Sequence, residues 1–360
     1  MTTEFIGMIH HRHASEIHPP ANLVLDRGYI RDFAQAAEAG GFDRLLVGYH
    51  SDAPDGFLVA ASAASLTDRI GFLVAHRPGF VAPTVAARKF ATLDQITGGR
   101  AAIHVISGGD DVDQHRDGDW LDKDERYART DEYVHILKRI WTEQAPVSHT
   151  GAYYRLEGAS IAVRCVQQPH IPIYFGGASD AAIAVAGKHA EIYALWGETH
   201  EQVRELTSRV RAAAAQHGRS IRFSLSLRPI LAPTEDEAWA RAERIKRRIV
   251  ELRAMAGLGP RNPANEGSRR LLAAAAQGER LDKRLWTGAA LLTGARGNTT
   301  SLVGTPRQVA EALLDYYDLG VTTFLIRGFD PLDDAIHYGR DLLPLTKRLI
   351  AERAAAAVAA

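Results

Sequence analysis

Three stretches of this sequence carry side chains whose types and spacing are suited to chemistry. The N-terminal MIHHRHASEIHPP sets His10, His11, His13 and His18 around Glu16. Imidazoles titrate near neutrality, so the group suits proton transfer, a polar rim around a substrate, or a metal. The metal reading has no companion motif: there is no HxxxH on a helix and no Cys/His framework, and Cys165 is the only cysteine. No metal is therefore expected. In SLSLRPILA, Arg228 interrupts an apolar run. A guanidinium on an inward strand position must meet an anion, either a bound substrate or a barrel carboxylate, and the pattern leaves both open. In YFGGASD, Gly176 and Gly177 precede Ala178 and Ser179 at a helix start. Such glycines let the backbone approach a phosphate, to which helix N–H groups and a hydroxyl donate. An ordinary strand-to-helix turn with a serine N-cap uses the same residues.

Those residues fall at the ends of short β-rich runs that alternate with helical patterns along the whole chain. The spacing predicts strands over 4–9, 44–48, 69–75, 101–106, 171–175, 191–196, 222–231 and 322–327. Helices are expected over 29–39, 56–66, 83–96, 125–142 and 306–318. Pro83 suits a first helical turn, where its missing N–H costs nothing. A hairpin-like excursion, APVSHTGAYYRLEG, belongs to no βα unit. Eight strand–helix units with no evident linker predict a (β/α)₈ TIM barrel with insertions, a single domain over 1–360. The stretch 252–301 interrupts the rhythm, and its Gly/Pro/Asn-rich start, MAGLGPRNPANEGSRR, predicts a mobile loop. In such barrels chemistry sits at the C-terminal strand ends. There lie the N-terminal histidines and Glu16, His76 and Arg77, Ser107 to Asp111, the Gly177 turn, Trp196 and Glu198, Arg228, and Arg327 with Phe329 and Asp330.

The bulk properties exclude other classes. The chain has 360 residues, 46% hydrophobic and 24% charged, enough for a large core. Lys+Arg and Asp+Glu are both 43, so no basic field invites nucleic acid or an anionic membrane. A lone cysteine, no signal-peptide pattern at the N-terminus and no apolar run of about 18 residues predict a cytoplasmic protein.

The segments FLVAHRPGFVAPTVAARKFATLDQITGGRA, LDKDERYARTDEY, IPIYFGGASD, YALWGE, AAAAQHGRSIRFSLSLRPI and LLTGARGNTTSLVGTP follow in order over nearly the whole chain. Through them the protein resembles the FMNH₂-dependent alkanesulfonate monooxygenases of the bacterial-luciferase-like superfamily. The resemblance implies reduced FMN as cofactor, O₂ as co-substrate, a separate NAD(P)H-dependent flavin reductase and a homodimer or homotetramer. By the same resemblance Tyr127, Gly177, Ala178 and Ser179 bind the flavin phosphate. Ala75 lies beneath the isoalloxazine, and Ser107 approaches the ribityl chain or the ring edge. Trp196 lines the substrate pocket, and Arg296 sits on a segment that closes over the site.

The departures bear on the substrate. The family carries an Arg and a His on strand seven where this chain has Ser226 and Arg228, a Cys in place of Ala53 and a Tyr in place of Phe329. Arg228 and Arg296 are expected to hold a sulfonate, and His10 or His11 to shuttle a proton. Glu16 and the histidines suit a substrate bearing hydroxyls. The expected reaction is oxidative C–S cleavage of an organosulfonate, a sulfosugar such as sulfoquinovose, to sulfite and a carbonyl product. A simple alkanesulfonate is the alternative substrate. An F420-dependent oxidoreductase and a flavin-binding barrel without catalysis are the competing readings.

Overall fold

The computed structural model of the chain describes residues 3–20, 23–259, 263, 265–297 and 299–359. Eight strands form a closed barrel: β1 (Glu4–Ile9), β2 (Arg44–Val47), β3 (Gly71–His76), β4 (Ala101–Val105), β5 (Ile173–Gly176), β6 (Ile192–Trp196), β7 (Arg222–Leu227) and β8 (Val321–Ile326). Each neighbours the strands next to it in sequence, in parallel. This is the (β/α)₈ barrel that the alternation implies. β3 is buried at every residue, as a parallel strand covered on both faces must be.

Local chemistry sets the helix ends. Among the helices are α1 (Arg27–Ala39), α2 (Gly56–Ala64), α3 (Pro83–Thr97), α4 (Lys123–Thr142), α5 (Asp180–His189), α6 (His200–Ala215), α7 (Glu235–Met255), α8 (Glu266–Gln277) and α9 (Pro306–Asp318). α3 begins on Pro83 and ends at Gly98 with φ of 63°, the left-handed conformation glycine takes without a Cβ penalty. α4 starts in a capping box: Asp122 accepts from the Glu125 amide at 2.8 Å, and Glu125 accepts from the Asp122 amide at 3.0 Å. The excursion after α4 is a two-stranded antiparallel ribbon, Val147–Thr150 with Arg155–Ala159.

Two segments depart from the sequence pattern. The strand expected over 222–231 stops at Leu227. The Arg228 amide donates instead to the Thr300 carbonyl at 3.0 Å, and Pro229 has no N–H for a ladder. Ile230–Leu231 then joins a separate sheet with Ser301–Gly304, Leu285–Trp286 and Arg280–Leu281. Where the sequence predicts a loop at the start of 252–301, α7 runs on to Met255 and Asn265 caps α8. Residues 260–262 and 264 of that stretch lie outside the described residues.

The chain divides into two compact units. One comprises Met1–Leu45, Ala194–Thr207 and Arg222–Ala360. Its core includes Ile230, Ile245, Ile249, Trp286, Val303 and Phe329. The other comprises Leu46–Tyr193 and Ser208–Ile221. Here His76 bonds the Tyr133 hydroxyl at 2.7 Å, and Trp141 donates to the Ala87 carbonyl at 3.1 Å. Among the described residues no helix is long and apolar enough to cross a membrane.

Candidate active site

In the second unit, β5 delivers the chain into Gly177, whose φ of 136° is open to glycine and strained for other residues. A Cβ built there would lie 2.8 Å from the Ala182 Cβ and 2.9 Å from the Tyr127 hydroxyl. The turn is therefore a cradle that only hydrogen leaves empty. Ser179 caps α5, its hydroxyl accepting from the Ala182 amide at 3.4 Å, and its side chain also bonds Tyr127. Burial pushes the Tyr127 phenol above its ordinary value, so it keeps its proton and can donate. Tyr193 donates to the Gly177 carbonyl, which fixes that peptide. Neutral donors around an open backbone and a helix N-terminus fit a phosphate. Ala75 is buried at the end of β3, and the Ser107 hydroxyl, after β4, lies 3.0 Å from that of Thr130. Of the two readings of the GGAS turn, the serine N-cap is observed directly.

The same unit holds an ion pair to which the sequence assigned no role. Arg77 and Asp113 are both buried and pair directly. Desolvation alone would raise the Asp113 carboxyl, but Ser51 and Arg77 outweigh it and bring it down to about 2. The strand-end rule points to Arg77; its partner, on the short helix Asp111–Arg116, has no sequence signature.

In the first unit, Glu16 holds two arginines. Arg228 Nη2 lies 2.8 Å from Glu16 Oε2, and Arg327 Nη2 donates to Oε1 at 3.1 Å. Arg228 is 1% exposed, donates to the Gly328 carbonyl at 2.9 Å and lies 3.5 Å from the centroid of the Phe329 ring. Of the two anions open to Arg228, a carboxylate is thus present. Burial would raise the Glu16 carboxyl, but Arg228 and Arg327 together hold it well below the usual carboxylate range. Desolvation, then Arg228, brings Arg327 down to about 10. Two guanidinium groups thus share the one Glu16 carboxylate.

His10 stands beside this trio. Desolvation first, then Arg327 with smaller contributions from His11 and Arg228, lowers it to about 3 against the opposing pull of Glu16. It is therefore a neutral imidazole near pH 7, suited to hydrogen bonding and poorly suited to taking a proton from bulk water. A cavity of about 10 Å³, lined by Met8, His10, Ser15, Arg228, Arg327 and Tyr338 among others, adjoins it, room for about one water. His18 pairs with Asp330, which Arg241 also reaches at 3.2 Å.

The remaining sequence candidates lie as follows. His11 is half-buried, and its carbonyl accepts from the Asp26 amide at 2.8 Å. Phe329 is fully buried, so it reaches a ligand only through Arg228 on its face. Trp196 packs against α8, where a Cβ on Gly267 would come within 3.2 Å of its ring. Arg296 is exposed, and its neighbour Asn298 lies outside the described residues. Among the described residues no group of three His, Cys, Asp or Glu side chains could hold a metal ion.

Comparison with known proteins gives one family match: the model for luciferase-like monooxygenases covers residues 3–323. A riboflavin lyase, solved with modified FMN and riboflavin, is 19% identical with a TM-score of 0.78, over 98% of this chain and 92% of its own. EDTA monooxygenase from Chelativorans sp. BNC1 is 20% identical with a TM-score of 0.77, over 97% and 94%. A long-chain alkane monooxygenase is 20% identical with a TM-score of 0.75, over 97% and 92%. At these identities the likeness is one of fold.

Proposed function

Because the chain belongs to the luciferase-like monooxygenase family, we propose that it is an FMNH₂-dependent monooxygenase that cleaves the carbon–sulfur bond of an organosulfonate. The observation that carries the substrate class is the pair of arginines, Arg228 and Arg327, gathered at Glu16, with Arg228 1% exposed. Two guanidinium groups held at one place favour an anion, and a sulfonate supplies one.

Tyr127, Gly177 and Ser179 would hold the flavin phosphate, with Ala178 at the same turn. Ala75 and Ser107 would border the rest of the cofactor. When bound, reduced FMN supplies two electrons and two hydrogens for the reduction of O₂. In the overall reaction RCH₂SO₃⁻, O₂ and FMNH₂ give RCHO, HSO₃⁻, FMN and H₂O, so one oxygen atom enters the carbonyl and the other leaves as water.

Arg228 is locked between Glu16, Gly328 and Phe329, so its part is to fix the charge and shape of the anion subsite. Arg327 shares Glu16, and Arg296 would add charge from its exposed segment. His10, neutral, would orient a hydroxyl or water by hydrogen bonding. The polar rim of His10, His11 and His13, with Trp196 as an apolar wall, favours a substrate bearing hydroxyls, a sulfosugar such as sulfoquinovose. A flavin reductase would deliver the cofactor, and a homodimer or homotetramer is the proposed assembly.

The test is sulfite release from a panel of simple alkanesulfonates, taurine-like compounds and sulfoquinovose, with a flavin reductase, NAD(P)H and FMN. Sulfite from the sugar alone supports the full reading. Sulfite from simple alkanesulfonates keeps the reaction and removes the sugar. Binding of reduced FMN without sulfite from any sulfonate removes desulfonation, and binding of F420 in place of FMN moves the chain to hydride transfer.

A further inference from the structure

Resting on the flavin reading above, we infer that Arg77, clamped by Asp113, is the residue through which this chain binds reduced flavin in preference to oxidised flavin. Arg77 follows β3 directly and is 7% exposed. Asp113 takes one of its terminal nitrogens. Asp113 is itself fixed by Ser51, whose amide and hydroxyl donate to Oδ1 at 3.1 and 2.5 Å. The guanidinium carbon lies 4.6 Å from the centroid of the Tyr49 ring, and Tyr49 stacks on Phe80 at 6.2 Å. After all these contacts, Nε and Nη1 of Arg77 are buried with no hydrogen-bond partner. Donors are seldom left so in a folded protein, and an arginine held this rigidly with unspent N–H groups is prepared for an acceptor from outside the chain.

Sheet register indicates which acceptor. β3 pairs with β4 with His76 opposite Val105, and β4 pairs with β5 with Val105 opposite Phe175. The residues that follow, Arg77 and Gly176, therefore stand at one level of the sheet. They are two strand spacings apart, roughly 10 Å, and the Gly177 cradle comes next in the chain. A phosphate in that cradle leaves a five-carbon ribityl chain to carry the ring system past β4, where Ser107 lies, toward β3. The part of FMN rich in acceptors at that distance is the carbonyl-bearing edge of the ring. Two-electron reduction places more negative charge on that edge, so a fixed cation beside it binds the reduced ring more strongly than the oxidised one. A buried ion pair whose only task is to tether the Asp111–Arg116 helix has no reason to distinguish the two states.

Anaerobic titrations of FMN and of FMNH₂, followed by flavin fluorescence and absorbance, separate these roles in the full chain. The variants are Arg77→Lys and the double variant Arg77→Met/Asp113→Asn, which leaves no carboxylate unpaired. In the double variant the Kd for FMNH₂ is expected to rise about ten-fold or more while the Kd for FMN changes by less than about three-fold. That lowers the midpoint potential of the bound flavin by about 30 mV per ten-fold. If the double variant does not fold, Arg77→Lys carries the test, because it keeps the charge and loses the planar fork. It should weaken FMNH₂ by about three-fold or more and leave FMN unchanged. Equal losses in both states, or none, overturn the inference and leave the flavin reading standing. A wild-type chain that binds FMN in neither state overturns the flavin reading and the inference with it.

Discussion

At Gly177 the chain brings uncharged groups together: a backbone without a Cβ, a helix start and the hydroxyls of Tyr127 and Ser179. At Glu16 it sets three charges together, two guanidinium groups on one carboxylate, with Arg228 buried and Glu16 and Arg327 half-buried. The first arrangement costs little to bury and demands a particular backbone shape. The second is expensive to bury and demands that every partner be present. Under the proposed function, such a neutral cradle would suit a mobile ligand such as a flavin exchanged with a reductase. The charged trio, already paired at Glu16, would under the same proposal select by the fixed placement of its two cations.

The contrast is tested most severely at Glu16. Glu16→Gln leaves Arg228, 1% exposed, without its carboxylate, and unfolding by urea should show a loss of about 3 kcal/mol. A loss below about 1 kcal/mol would mean that the trio is not a desolvated unit in solution, and the contrast collapses.

Gly177→Ala attacks the other region through shape alone. The added methyl meets Ala182 and the Tyr127 hydroxyl at 2.8 and 2.9 Å in a backbone conformation of φ 136°. A cost of about 1–3 kcal/mol follows, with flavin affinity falling about ten-fold in a fluorescence titration. Unchanged affinity would show that the flavin does not use this turn.

Acid sharpens the comparison. The folded value of His10, about 3, lies below the ordinary imidazole value, so the unfolded chain takes up the proton first. Its contribution to stability is whole above about pH 6.5 and is lost as the pH falls toward 3. Glu16 is also depressed in the folded state. Its contribution persists above about pH 4.3 and erodes only below that. In the other unit His76, brought down to about 3, and His104, to about 4, behave like His10, while the Gly177 cradle has no group that titrates in this range. Each such histidine adds about 1.4 kcal/mol per pH unit to the slope between its two values. His10→Asn should flatten the pH dependence of the urea midpoint between 6.5 and 4 by up to that amount. An unaltered slope would show that His10 is hydrated in solution.

Tyr127→Phe is the mildest change. It removes one neutral hydroxyl bonded to Ser179 and should weaken flavin binding by about 1 kcal/mol, roughly five-fold. A hundred-fold loss would assign the hydroxyl to a charge, contrary to the neutral character of the cradle.

Much of the architecture was legible from the chain because its causes are local. All eight barrel strands lie where apolar runs predict them, since a parallel strand covered on both faces must be apolar along its length. Pro83, the Asp122–Glu125 capping box and the Ser179 cap act within one helical turn. The end of β7 was not legible in the run SLSLRPILA, because hydrophobicity does not reveal which sheet a residue joins. The Arg228 amide and Ile230–Leu231 bond toward residues near position 300. The site was legible in parts. Arg228 called for an anion, but nothing near position 228 identified Glu16 as its partner. Arg327 and Arg77 stand where barrel chemistry collects, yet a strand-end position does not distinguish an ion pair from a substrate contact.

By itself the sequence determined the barrel, the helix ends, the open glycine turn after β5 and the short set of polar residues at the strand ends. Each depends on propensity, periodicity or capping within a few residues, and those forces act along the chain. Only the tertiary structure decided that Glu16 would gather Arg228 and Arg327, that Asp113 would clamp Arg77, and that His10 would be neutral. Charge pairing and desolvation depend on distance through space and on the water excluded between groups, and neither quantity is written in the order of residues.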